Sequence, residues 1–309
     1  MHISNNINRM VSVMTAKQLL FFKRIAELEN LTKAANDLMV SQPFLSRVLS
    51  ELEAEIGVNL FDHVGRRIYL NSYGSAFYKR VVNIINDAED AVEEVRDMYS
   101  SQASRLTIVT NVSLYMPGLL KMLSESNPDL IISQYSNRRS KIEKMITSGE
   151  VDFAICCPQL EQCENLESIV LRYEPGVLIY PSGHWLENID EVDVNDIKNE
   201  TFISVSKGFG TRDIIDQYMQ KENILPRISL ETTDTSSVFK YVENGLGIAF
   251  VPFSQVLAEP RFINNYTKIK NKVGGEIVLS WRHGKYINEA GKSFIEKSKE
   301  YFKSLDNLR

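Results

Sequence analysis

The stretch Leu31-Thr32-Lys33-Ala34-Ala35-Asn36-Asp37-Leu38-Met39-Val40-Ser41-Gln42-Pro43-Phe44-Leu45-Ser46-Arg47 decides how the chain is read. It holds two short helices separated by a break at Met39-Val40. The first starts after Thr32, whose hydroxyl can cap it, and runs through Lys33, Ala34, Ala35 and Leu38. Ser41 caps the second, Pro43 is tolerated in its first turn, and Leu45, Val48, Leu49 and Leu52 fall at i, i+3, i+4 and i+7 on one apolar face. Upstream, apolar residues recur at helical spacing from Lys17 to Leu28 and stop at Asn30. Downstream, Gly57 precedes Val58-Asn59-Leu60-Phe61, the turn Gly65-Arg66-Arg67 and the alternating Ile68-Tyr69-Leu70, which predicts a small two-stranded wing. Residues 15–72 thus form one winged three-helix unit, and the polar residues 1–14, with Met10 and Met14 both plausible starts, form an unstructured arm.

With the leucines facing inward, Ser41, Gln42, Pro43, Phe44, Ser46, Arg47 and Ser50 face outward, where a recognition helix presents its first residues to the major groove. Gln pairs with adenine, Arg with guanine or phosphate. Thr32 and Lys33 at the preceding helix, and Arg66 and Arg67 in the wing, suit phosphate contacts on double-stranded DNA. Across residues 15–72, however, Lys17, Lys23, Arg24, Lys33, Arg47, Arg66 and Arg67 only balance Glu27, Glu29, Asp37, Glu51, Glu53, Glu55 and Asp62, which predicts weak non-specific affinity.

From Ser75 to about Ser101 there is neither Gly nor Pro, and Phe77, Val81, Ile84, Ala88, Ala91, Val95 and Met98 follow a heptad seam. Asp87, Glu89, Asp90, Glu93, Glu94 and Asp97 occupy the outer face, so residues 73–103 read as one long linker helix that pairs with a second copy, or else lies on its own domain. Beyond Ser104, strands and helices alternate, which predicts parallel α/β units: Leu106–Thr110, Leu130–Tyr135 and Val151–Cys156 as strands in the first, Phe202–Val205, Ile228–Glu231 and Gly247–Val251 in the second. A last strand, Glu276–Trp281, and the helix Asn288–Ser304 follow a Gly274-Gly275 break and return to the first unit.

The remaining composition bounds the function. The chain has 309 residues, 43% hydrophobic and 24% charged, enough for two or three domains with their own cores, and its net charge of -5 gives no global positive field. The apolar run Leu246–Phe253 is far short of the roughly 20 residues that span a bilayer, and residues 1–13 lack a secretory apolar region, so a cytoplasmic protein without membrane contact is expected. His2, His63, His184 and His283 are scattered, and Cys156, Cys157 and Cys163 are too few for a disulfide framework; no metal, cofactor or catalytic constellation is indicated, so no enzyme is expected.

The motif from Leu31 to Arg47, continued by Leu52-Glu53, Gly57-Val58, Leu60-Phe61 and Gly65-Arg66-Arg67, resembles the LysR-type transcriptional regulators, and the resemblance covers residues 15–309. Phe44 departs from the small residue usual in the family after Ser-Gln-Pro. The resemblance implies an N-terminal winged helix-turn-helix, a long linker helix and, over residues 104–309, an α/β effector domain of two subdomains similar to periplasmic binding proteins. Subdomain I would span about 104–176 and 273–309, and subdomain II about 177–272. It further implies a homo-oligomer, dimer or tetramer, a small-molecule effector in the cleft, and recruitment of RNA polymerase. Candidate effector contacts are Thr110, Asn111 and Ser113 at the first strand-to-helix turn, Ser206 and Lys207 at a second, and Thr235 and Ser236 at a third. Arg139, next to Arg138, stands where the family usually has Ser or Thr, and a cation at a helix start asks for a partner, so Arg139 or Arg138 is expected to bind an anionic effector such as a carboxylate. Two alternatives remain: a solute-binding or enzymatic α/β protein whose N-terminal helices mediate assembly, and a thiol-based redox regulator.

Overall fold

The computed structural model describes residues 14–65, 67–99, 105–160, 163 and 165–305; Arg66, the arm 1–13 and residues 100–104 lie outside the described residues. The chain divides into two units, Met1–Tyr99 and Ser100–Arg309.

In the first unit, α1 (Ala16–Leu28) opens with a capping box between Thr15 and Gln18 and closes on Glu29 in the left-handed region. Helix α2 (Leu31–Asp37) is capped by Asn30, whose Oδ1 accepts from the Lys33 N–H at 2.9 Å. The expected roles are therefore shifted: Thr32 is not the cap, because the extended Asn30 already supplies a stronger one immediately after α1 ends. Helix α3 (Gln42–Ile56) is capped by Ser41 and ends on Gly57 at φ 86°. Strands β1 (Phe61–Val64) and β2 (Arg67–Leu70) pair antiparallel, Phe61 opposite Leu70. Phe22, Ile25, Leu45, Leu52 and Leu60 form the core, with Phe22 against both Phe61 and Phe77.

Helix α4 (Ser72–Tyr99) starts under Asn71, whose Oδ1 accepts from the Gly74 N–H. A Cβ on Gly74 would run into the Leu60 carbonyl oxygen, so this first turn needs glycine to lie on the wing. Phe77 and Val81 belong to this unit's own core rather than to a free seam, because the first turns of α4 pack on α1. From Ile84 onward the stripe is uncovered: Ile84, Val95 and Met98 are 51%, 66% and 82% exposed, with Ala88 and Ala91 between them also exposed. Asp90, assigned to the polar outer face, is buried.

The second unit runs β3 (Arg105–Thr110), α5 (Met116–Ser126), β4 (Ile131–Ser136), α6 (Arg139–Thr147), β5 (Phe153–Cys156), β6 (Leu166–Ile179), β7 (Glu191–Val192), β8 (Thr201–Val205), α7 (Gly210–Lys221), β9 (Arg227–Thr232), α8 (Thr235–Glu243), β10 (Ala249–Pro252), α9 (Phe253–Ala258), β11 (Tyr266–Ile269), β12 (Gly274–Arg282) and α10 (Glu289–Ser304). The main sheet has the order β4-β3-β5-β12-β6-β11-β7, with β10 also on β6, and β8-β9 form a separate parallel pair.

The sheet is mixed where a parallel one was expected. Strands β3, β4 and β5 are parallel, but β12 runs antiparallel to both β5 and β6, and β10 and β11 run antiparallel to β6. Strand β6 crosses between two cores: β12 pairs with its residues Leu166–Pro175, and β10 pairs from Gly176 onward. Gly274 and Gly275, expected as a break, lie inside β12. A Cβ on Gly275 would come within 2.8 Å of Ile214 Cδ1 and 2.9 Å of Cys157 Sγ, so the glycines admit close packing rather than end the strand. Among the described residues no helix is long and apolar enough to cross a membrane.

Gly74→Ala tests the α4 contact. The forced shift is expected to cost about 1–3 kcal/mol, typical of overpacking, and a urea melt followed by far-UV circular dichroism should show an earlier transition than Ala76→Gly, an exposed control in the same turn.

Candidate functional site

The first unit displays the outward face of α3 as anticipated by its apolar pattern: Ser41, Gln42, Pro43, Arg47 and Ser50 are exposed, and Phe44 and Ser46 are half-buried. Thr32, Lys33 and Arg67 are exposed, Arg67 with Nη1 3.5 Å from the Tyr69 hydroxyl. Arg66 lies outside the described residues.

The neutral charge balance conceals a division of labour. Glu53 Oε1 accepts from the Leu60 and Phe61 N–H groups at 2.7 and 3.3 Å, Glu29 Oε1 from Leu70 N–H at 3.3 Å, and Glu55 Oε1 from Met14 N–H at 3.0 Å. Arg24 holds Asp37 at 2.6 Å and Glu27 at 2.8 Å, and its hydrogen bond keeps the Asp37 carboxyl below the ordinary range. These acids serve backbone donors or another cation, while Lys17, Lys33, Arg47 and Arg67 stay exposed.

In the second unit, the candidate residues separate into engaged and available groups. Thr110 is fully buried, its hydroxyl donating to Ile155 O and accepting from Val112 N–H. The Asn111 amide bonds both the N–H and the carbonyl of Cys157 at 2.9 Å. Both side chains are thus engaged with the backbone of neighbouring strands and turns. Ser206 donates to Thr232 O, and the Ser236 N–H and hydroxyl both donate to Asp234 Oδ1, so the start of α8 is already served by its own carboxylate. Thr235 beside it is exposed. Ser113 and Ser136 share a hydrogen bond of 2.8 Å at an exposed position, and Lys207 is exposed.

The starts of α6 and α7 differ from that of α8. Their N-cap residues, Arg138 and Phe209, provide no side-chain cap, leaving first-turn N–H groups free. Those two residues touch: the Arg138 guanidinium lies 4.8 Å from the centroid of the Phe209 ring. Among the described residues Arg138 has no carboxylate partner. Arg139 does have one, Asp213 of α7, with Nη1 to Oδ2 at 3.5 Å, while Nη2 donates to Gln159 O at 3.0 Å. Its Nε is buried without a hydrogen-bond partner. A Cβ on Gly210 would collide with the Cys157 carbonyl, so α7 begins in direct contact with the Cys157-Pro158 segment. Nearby, the buried Glu174 accepts from the Tyr115 hydroxyl and from the Ser254 N–H at 2.9 Å. Asp213, Phe209 and Glu174 were not singled out in the sequence. Of these, Asp213 was recoverable only as an acid in the first turn of a predicted helix.

Two of the three thiols, Cys156 and Cys157, are poorly placed for switching. Burial pushes Cys157 up to about 12 and raises Cys156 further, so both stay protonated at neutral pH and are poor nucleophiles. Among the described residues no group of His, Cys, Asp and Glu could hold a metal ion.

Comparisons with known proteins match both units of the chain. Residues 16–75 match the bacterial regulatory helix-turn-helix protein of the lysR family, and residues 100–303 match the LysR substrate binding domain. An HTH-type transcriptional regulator of Bacillus subtilis, YybE, is 27% identical over 90% of this chain and 96% of its own length. Full-length OxyR from Pseudomonas aeruginosa, as a cysteine-to-aspartate variant, superposes with a TM-score of 0.67 at 19% identity, covering 94% of this chain and 95% of that one. The effector binding domain of QuiR in complex with shikimate superposes at 0.59 and 22% identity, covering 66% of this chain and 99% of that one.

Alkylation checks the thiols. In the native protein Cys157 should react with iodoacetamide many times more slowly than a free cysteine at pH 8, the rate rising with pH toward about 12 and jumping on unfolding; a fast native reaction at pH 7 would restore the redox alternative.

Proposed function

The chain belongs to the LysR family of transcriptional regulators, with a DNA-binding helix-turn-helix and an effector-binding domain, and from that premise we propose how its particular residues act. It is a regulator rather than an enzyme. Helix α3 reads base edges through Gln42, Ser46 and Arg47, with Ser41, Pro43, Phe44 and Ser50 on the same face, while Thr32, Lys33, Arg67 and Arg66 meet phosphates. Two copies pair through the exposed α4 stripe of Ile84, Ala88, Ala91, Val95 and Met98, and further pairing makes a tetramer. DNA-binding residues 15–72, linker 73–103 and effector domain 104–309 are the working division.

The effector is a small anion, best a carboxylate, and Arg138 is its primary contact. The observation that carries this reading is the meeting of two uncapped helix starts at the Arg138–Phe209 contact. Free N–H groups and the positive ends of two helix dipoles favour negative charge there, and Arg138 adds a fork suited to a carboxylate. Arg139 is a secondary contact because Asp213 and Gln159 already engage it. Ser113 and Lys207 supply further polar groups. Effector binding shifts the relation of the two α/β cores, and α4 carries that shift to the spacing of DNA half-sites and to RNA polymerase, in the cytoplasm.

Footprinting the full chain on duplexes selected from a random library, with competitor DNA near physiological salt, should protect two or more patches one helical turn or a multiple apart. A screen of small carboxylates should then change the footprint. Losing a charge-assisted hydrogen bond worth about 1.5–3 kcal/mol, Arg138→Ala should raise the half-effective concentration of the active carboxylate at least about tenfold; an unchanged response removes Arg138 as the contact. Val95→Glu should lower the mass in solution to that of a smaller assembly, and unaltered mass would exclude the α4 stripe as the seam.

A further inference from the structure

Phe44 stands in the first turn of α3, at the edge of the DNA-facing surface, and is half-buried. Its ring meets the buried Phe21 of α1 edge-on, with centroids 6.1 Å apart and planes at 84°. That contact restricts the ring's orientation. Two cations gather on it from different helices: Lys17 Nζ of α1 lies 5.5 Å from the Phe44 centroid and 5.4 Å from that of Phe21, and Arg47 Cζ of α3 lies 5.7 Å from the Phe44 centroid. The aromatic face attracts both cations without consuming their N–H donors. A carboxylate partner has the opposite effect, as at Arg24, whose donors Asp37 and Glu27 occupy. Glu51 also faces Arg47, at 3.5 Å, but both side chains are more than half exposed, where an ion pair contributes little.

We propose that Phe44 is a positioning residue of the DNA-binding surface: its ring fixes Lys17 and Arg47 as a preorganised pair of cations for the duplex. This rests on the placement of DNA along α3. A charge-balanced domain cannot rely on many cations, so ordering a few of them before contact matters more here than in a basic domain.

The test is a double-mutant cycle in the full chain, with fluorescence anisotropy on a duplex selected from a random library, at several salt concentrations. Arg47→Ala weakens binding and lowers the salt slope. Phe44→Leu, which keeps the apolar contact with Phe21, weakens it about two- to fivefold for each cation released, and Phe44→Tyr restores it. Combined with Arg47→Ala and Lys17→Ala, Phe44→Leu adds nothing further. Equal cost of Phe44→Leu in wild-type and doubly substituted backgrounds overturns the proposal and leaves a packing role; so does a Phe44→Leu protein that binds like the wild type. If Phe44→Leu melts early, Phe44→Met replaces it in the same cycle. Unchanged affinity in Arg47→Ala instead overturns the placement of DNA on α3, which separates the two failures.

Discussion

The antiparallel ladder of β6 and β12 is the constraint on which the second unit depends. Both strands pass from one α/β core to the other, and their backbone N–H and C=O groups must remain paired through the crossing. They achieve this by pairing with each other: Gly275 stands opposite Glu174 and Gly274 opposite Pro175, and the Gly176 N–H donates to Val273 O at 2.7 Å. A Cβ on Gly274 would run into the Glu174 carbonyl oxygen, so glycine is needed there. Glu174, the buried acid at the crossing, is held by a hydroxyl from the start of the α5 region and an N–H from α9. The two cores therefore share one covalent and hydrogen-bonded seam, beside which the start of α7 meets the Cys157-Pro158 segment.

That geometry explains which parts of the molecule were legible in the sequence. The helix-turn-helix is written in short-range signals: Ser41 and Gly57 bound α3, and Leu45, Val48, Leu49 and Leu52 mark its inner face. Local capping also explains the small displacement at α2, where Asn and Thr compete for one role and the stronger cap prevails. The β6 strand was not legible. It spans Leu166–Ile179 and carries Glu167, Arg172, Glu174, Pro175 and Gly176, a composition that reads as a loop. Its strand state comes from three partner strands, all distant in sequence.

The candidate site divided in the same way. Arg138 and Arg139 were conspicuous because cations oppose a helix start. What distinguishes their contacts is Asp213, 74 positions from Arg139. Thr110 and Asn111 had the right chemistry for ligand contacts but are taken by the backbone at Ile155 and Cys157. A neutral charge total hides a spatial division, because Glu29, Glu53 and Glu55 act as backbone acceptors while Lys17, Lys33, Arg47 and Arg67 stay exposed.

The pairing of Arg139 with Asp213 means that the protein carries its own counter-anion. A carboxylate tethered to the same chain competes at an effective concentration on the order of millimolar. A free acid at Arg139 has to displace this resident carboxylate.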